Sequence, residues 1–359
     1  MNFPEAILKN EEKAIFRLRS LYRQRGYEPY KMSKFEEYDL YVRNKSFLVS
    51  DNVITFTDTD GKLMALKPDV TLSIVKNTRE GETRKVYYNE NVYRVSEGSH
   101  SYKEIMQTGL ECIGTIDLYA LSEVLTLAVE SLGAISDDYL LDVSHLGITL
   151  TLLKLSGAEP NYVKRILECM GEKNLHGITS ICREAGVSDK DTERIKTLVK
   201  CYGKPSEVIE KLRTILVEEE FAEALDGLET VLELASSDRI RLDFSVVGDI
   251  SYYNGIVFKG FVNGIPSAVL SGGEYDELMK RFGRTCGAIG FAVYLDLLEN
   301  FSTVPEYDVD TLVVYGDRTP AGLVADTVRT HISQGETVRA ERCIPEKLKY
   351  KTLVELTEE

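Results

Sequence analysis

The stretch Val86–Gly114, VYYNENVYRVSEGSHSYKEIMQTGLECIG, constrains the chain most. Two β-rich runs flank a polar loop, Ser96 to Glu104, and the second run alternates. Ile105, Gln107, Gly109, Glu111 and Ile113 fall on one face of a strand, and Met106, Thr108, Leu110 and Cys112 on the other, because successive strand side chains point to opposite sides of the sheet. The second face is ordinary core. The first sets an amide and a carboxylate about 13 Å apart, at roughly 3.3 Å per residue. A buried carboxylate without a partner is costly. Glu111 therefore lies either on a solvated sheet face or on a concave floor that receives a small cationic or hydrogen-bonding molecule. Gly109, between the two polar groups, leaves room for that molecule.

The 359 residues suffice for two or three domains. No apolar run of transmembrane length is read, and MNFPEAILKNEEKAIF lacks the basic and apolar regions of a signal peptide. Six scattered cysteines with no CxxC pair read as reduced thiols of a cytoplasmic protein. The four histidines are far apart, so no metal site is expected; no cofactor is expected either. A net charge of −15 opposes phosphate neutralisation, so no nucleic-acid partner is expected, and no membrane partner either.

Residues from about Glu5 to Arg25 read as an amphipathic helix with Ile7, Leu8, Ala14, Ile15, Leu18, Leu21 and Tyr22 as its stripe and Gly26 as its stop. Val53 to Thr71 reads as a hairpin turned at Asp60-Gly61. Pro68-Asp69 then starts a helix over Val70–Asn77, with Asp69 as its cap. Leu118–Leu132 reads as a helix and Tyr139–Val143 as a strand. From Gly147 to Ser236 helix follows helix, with Ser188 as one N-cap and Glu218–Leu234 as another helix. Cys169, Cys182 and Cys201 are expected in the core of that block. Arg241–Val247 returns to strand alternation, and Asn263-Gly264 marks a hairpin turn. After Pro305, Asp310–Tyr315, Pro320–Gln334 and Glu336–Ala340 read as strand, helix, strand.

The residues around Glu111 resemble motif 2 of class II aminoacyl-tRNA synthetases in the histidyl version. There a strand ending in Phe-Arg leads through a loop to Gln-x-Gly-x-Glu; Tyr93-Arg94 and Gln107 to Glu111 correspond. Other stretches agree in order. Tyr27–Tyr41 occupies the place of motif 1, the long helix-and-strand dimer element. Leu66 to Thr71 resembles Leu-Arg-Pro-Glu-x-Thr, whose acid and threonine contact the amino group of bound histidine, with Asp69 for the glutamate. Val246–Phe258 resembles Arg-Gly-Leu-Asp-Tyr-Tyr-x-x-x-x-Phe: Tyr252 and Tyr253 match, while Gly248 replaces arginine and Ser251 aspartate. Ser271–Asp276 is similar to Gly-Gly-Arg-Tyr-Asp, with Glu274 for arginine. Gly287–Phe301 is similar to motif 3, a strand-to-helix element, with Leu297 where an arginine stands. The resemblance implies an α+β fold: a class II synthetase-like antiparallel sheet flanked by helices. It assigns residues 1–146 and 237–304 to the core and 147–236 to a helical insertion. Residues 305–359 become a truncated anticodon-binding-like α/β module, or a small packing module.

Sorted by task, the amino-acid pocket persists. The resemblance implies a histidine-binding set of Asp69, Thr71, Gln107, Glu111, Tyr252 and Tyr253. The activation apparatus does not persist. Arg94 remains as a candidate anion-binding group, but the motif-2 glutamate is Ser96 and two arginines have become Gly248 and Leu297. Losing one preorganised cation or donor costs about 10²–10³ in rate, so no catalytic residue is expected. A histidyl core with its pocket kept and its activation residues erased resembles the regulatory subunit of ATP phosphoribosyltransferase. That resemblance implies a non-catalytic chain in the first step of histidine biosynthesis. It would activate a short-form catalytic subunit and take part in feedback inhibition by free histidine. It also implies a homodimer through the class II core, within a hetero-octamer. Two other readings stand against it. A divergent histidyl-tRNA synthetase-like enzyme adenylating another acceptor would need the missing arginines. A ligand-free scaffold would not need polar groups on the sheet face.

Overall fold

The alternating stretch becomes the central hairpin of a nine-stranded sheet. The computed structural model describes residues 8–44, 53–95, 101–248, 252–301 and 306–356. It divides into two units, Met1–Phe301 and Ser302–Glu359. In chain order the strands of the first unit are β1 (Glu28–Pro29), β2 (Phe35–Glu37), β3 (Thr55–Thr57), β4 (Leu63–Leu66), β5 (Arg84–Val95), β6 (Tyr102–Gly114), β7 (Tyr139–His145), β8 (Tyr202–Gly203), β9 (Ile240–Asp243), β10 (Ile256–Val262), β11 (Leu270–Glu274) and β12 (Gly287–Tyr294). The large sheet runs β1-β5-β6-β12-β11-β10-β7-β9-β8, and β2-β4-β3 form a separate small sheet. The expected antiparallel pairing holds from β5 through β7, but β1 joins β5 and β9 joins β7 in parallel, so the sheet is mixed.

Local signals account for most boundaries. Helix α1 (Asn10–Gln24) begins with a capping box, in which Lys9 N–H donates to Glu12 at 2.9 Å, and Gly26 follows its end at φ +79°. The part of the expected helix before residue 8 lies outside the described residues. Helix α2 (Tyr38–Arg43) and the short β1 and β2 occupy the motif 1 segment, in place of the long helix and strand expected there. Asp58 accepts the N–H groups of Asp60 and Lys62 and closes the Asp60-Gly61 turn. Helix α3 (Thr71–Lys76) starts one residue later than its expected span.

Helix α4 (Leu118–Ile135) is capped by Asp117, which accepts the Ala120 N–H at 2.8 Å. By length and composition it could cross a membrane, contrary to the sequence reading. Here it packs on the sheet, with Val124, Leu125, Leu127, Ala128 and Leu132 fully buried. Helices α5 (Leu146–Leu155), α6 (Pro160–Gly171), α7 (Leu175–Glu184), α8 (Asp189–Lys200), α9 (Pro205–Ile215) and α10 (Ala222–Ala235) follow, and Ser188 caps α8. Their apolar stripes share one continuous core with α1, α4 and the sheet; Cys182 and Cys201 are buried there and Cys169 packs against it. The strand read over Arg241–Val247 stops at Asp243. Helix α11 (Asp276–Arg281) follows β11. The motif 3 segment after β12 is a 3-10 helix, Leu295–Phe301, instead of the expected α-helix.

The two faces of β5 and β6 meet different cores. Tyr87, Leu110 and Cys112 join α1 and α4. Val86, Tyr88, Val92 and Ile113 join a second cluster with α3, Tyr41, Ala65 and Tyr275. In the second unit, β13 (Val309–Tyr315), α12 (Ala321–Ser333), β14 (Val338–Glu341) and β15 (Tyr350–Leu356) form a parallel sheet in the order β14-β13-β15. The sequence signals marked all but β15.

Candidate ligand-binding site

The register of three strands builds the floor. Gln107 faces Glu90 on one side and Tyr294 on the other; Gly109 faces Tyr88 and Ala292; Glu111 faces Val86 and Gly290. Above this floor lies a chamber of about 200 Å³. Asp69, Thr71, Arg94, Gln107, Glu111, Tyr252 and Tyr253 all line it, so the structure brings together every candidate residue of the sequence reading. Tyr88, Ser271, Tyr275 and Tyr294 line it too and were not singled out. The signal for Tyr275 was within reach, since period-two alternation places it on the Ser271 face. Tyr88 depends on cross-strand register, which no local pattern reveals.

Glu111 is 2% exposed. Its Oε1 accepts the Thr71 hydroxyl at 2.7 Å and its Oε2 accepts the Tyr275 hydroxyl. Burial pushes its carboxyl up to about 8; the two hydroxyls pull it down and Asp69 pushes it up further. A Cβ at Gly290 would lie 1.8 Å from Oε2, so only glycine fits beneath this carboxyl. Asp69 also rises through burial, against the pull of the Leu72 N–H, Arg94 and the Thr71 N–H. Its Oδ1 accepts the Leu72 N–H at 2.9 Å. Asp69 therefore supports the first turn of α3 and lines the chamber at once. Arg94 Nε donates to the Pro68 carbonyl at 3.2 Å. The side chain of Lys67, 1% exposed, pairs with Glu90 beside Gln107.

The room expected above Gly109 is already filled. A Cβ there would lie 2.5 Å from the Tyr88 hydroxyl and 2.3 Å from the Phe291 carbonyl oxygen. The glycine admits Tyr88, not a ligand. Tyr252 packs on Tyr253 with ring centroids 4.7 Å apart, and on Tyr275 at 5.7 Å. Burial raises the phenols of Tyr88, Tyr252, Tyr253 and Tyr275 well above 10, so all four are neutral donors and acceptors.

The erased positions among the described residues lie off the chamber. Gly248 sits behind Tyr253, and a Cβ there would come 2.6 Å from the Tyr253 ring. Leu297 packs against the main core. Glu274 accepts the Ile256 N–H, and burial lifts it to about 7. Ser96 and Ser251 lie outside the described residues. Among the described residues, Arg94 is the one lysine or arginine lining the chamber. Two carboxyls, one guanidinium and a set of hydroxyls complement a small molecule bearing an amine and a carboxylate. They do not supply the cluster of cations that holds a triphosphate.

Residues 4–298 match the family model described as histidyl-tRNA synthetase. The fold agrees, and the first unit is a class II synthetase-like core of the histidyl type. A solved structure of an ATP phosphoribosyltransferase regulatory subunit/histidyl-tRNA synthetase from Bacillus halodurans superposes with a TM-score of 0.76 at 22% identity, over 99% of both chains. A chain of an ATP phosphoribosyltransferase complex from Thermotoga maritima gives 0.62 at 19% identity, over 79% of this chain and 97% of that one. The ATP phosphoribosyltransferase regulatory subunit of Caldanaerobacter subterraneus is 30% identical over 293 residues, 78% of this chain and 75% of the relative. The chain belongs to the family of ATP phosphoribosyltransferase regulatory subunits.

Proposed function

We propose that the chain is a non-catalytic regulatory subunit that activates a separate, short-form ATP phosphoribosyltransferase and senses free histidine in the chamber. The observation that carries the reading is the chamber itself, with the candidate amino-acid-binding groups gathered and Arg94 as the single lining cation among the described residues. Asp69, Thr71 and Gln107 hold the ammonium, Arg94 takes the carboxylate, and Glu111 with a tyrosine hydroxyl reads the imidazole. The solved complex from Thermotoga maritima supports a catalytic chain as the partner. The assembly we infer is cytoplasmic: a homodimer of this core within a hetero-octamer of regulatory and catalytic chains. Feedback requires that histidine favour one state of that assembly, because equal binding to both would regulate nothing.

The test joins the wild-type chain, or Asp69→Asn, to a short-form catalytic subunit and titrates histidine. Wild type should co-elute with the subunit, raise its rate and confer inhibition by histidine. Asp69→Asn removes a charge-assisted bond to the ammonium and should weaken the response by about 10- to 150-fold, equivalent to roughly 1.5–3 kcal/mol. An unchanged response would show that the chamber is not the sensor.

A further inference from the structure

We propose that Glu111 stands in the chamber as a neutral carboxylic acid and meets the imidazole of histidine through one shared proton, so that binding at neutral pH releases none. The inference rests on the reading of the chamber as the histidine site. It begins from what each carboxyl touches. Asp69 faces groups that can only donate, the Leu72 N–H at 2.9 Å and, electrostatically, the guanidinium of Arg94, and these favour its ionised form. Glu111 accepts from the hydroxyls of Thr71 and Tyr275, neutral groups that hold a carboxylate less firmly than a cation does and can also accept a proton. Among the described residues no cation is bonded to Glu111.

The charge balance points the same way. Asp69 is the charged group that acts on Glu111 across the chamber, and Arg94 balances it. The phenols of Tyr88, Tyr252, Tyr253 and Tyr275 around Glu111 are neutral. So are Tyr27 and Cys112 on the far face of the sheet, the latter with its thiol pushed up to about 11. An ionised Glu111 would leave one uncompensated negative charge in a space where it is 2% exposed. Burial holds its carboxyl at about 8. A histidine zwitterion adds one positive and one negative charge. The sum remains zero only if the proton stays, either on Glu111 with a ring nitrogen accepting it, or on the ring with Glu111 accepting. No proton enters or leaves in either form.

Calorimetric titration of the whole chain with histidine, in phosphate and in Tris, tests this. At pH 7 the heat should not depend on the buffer. At pH 9 Glu111 should draw in close to one proton on binding, beyond the share of histidine's amine, and this reprotonation alone should lower the affinity about tenfold relative to pH 7. The amine of histidine also loses its proton in that range. Glu111→Gln fixes the neutral state and leaves only the amine's share, so its pH dependence should be shallower. Release of about one proton at pH 7, or the same fall with pH in both proteins, overturns the inference while leaving the chamber as the site. If Glu111→Gln binds nothing, wild type decides alone at pH 9, where proton uptake no greater than the amine's share overturns the inference. If wild type binds no histidine, the site reading fails and takes this inference with it.

Discussion

Lys67 and Glu90 are expected to fix the geometry of the chamber from behind, and Lys67→Met tests it. The lysine side chain is 1% exposed and the glutamate 14%. Removing one member of a buried pair leaves an uncompensated charge and costs about 3–5 kcal/mol. Glu90 keeps some access to water, so Lys67→Met should fall near the lower end, at about 3 kcal/mol. Glu90→Met should cost as much or more, because it leaves the better-buried partner alone. The double change, which removes both charges, should cost less than either single change, since apolar replacement of a whole buried pair is often neutral. The chain has 20 tyrosines and no tryptophan, so urea unfolding is followed by tyrosine fluorescence. Lys67 also accepts the Tyr93 N–H at 2.9 Å through its carbonyl and lies two residues before Asp69. Loosening it should therefore weaken histidine binding as well as stability. A cost below about 1 kcal/mol, the value of a surface pair, or single costs that simply add in the double mutant, would refute the reasoning.

Two further outcomes follow from the same geometry. Glu111 has its carboxyl raised from 4.5 to about 8, so the ligand-free folded chain holds a proton that the unfolded chain gives up. That contribution is complete below about pH 4.5 and lost as pH rises through 8; it is on the order of 5 kcal/mol at most. Melting temperature should therefore fall between pH 5 and 8 more steeply in wild type than in Glu111→Gln, and parallel curves would contradict the burial of this group. Gly248→Arg restores the residue type of the histidyl pattern, but its Cβ would lie 2.6 Å from the Tyr253 ring and 3.3 Å from Val257. It should destabilise by about 1–3 kcal/mol and give no ATP–pyrophosphate exchange with histidine; exchange in a variant of wild-type stability would count against the regulatory reading.

By itself the sequence determined what depends on neighbours along the chain. Period-two alternation placed Gln107, Gly109 and Glu111 on one face, and the hairpin holds them there. Helix periodicity with Gly26 and Ser188 marked helix ends, because capping is settled within one turn. Motif order was legible because each motif is a short run of residues. Tertiary structure alone decided what depends on register and packing between distant segments. It set Tyr88 against Gly109 and turned expected ligand space into protein. It brought Tyr275 onto Glu111 across 164 residues and Thr71 across 40, which no local pattern encodes. It also made Leu118–Ile135 a core helix, since apolar composition is the same whether sheet or lipid covers it. The ionisation of Glu111 belongs to this second group, because a carboxyl's charge depends on the surroundings that burial supplies.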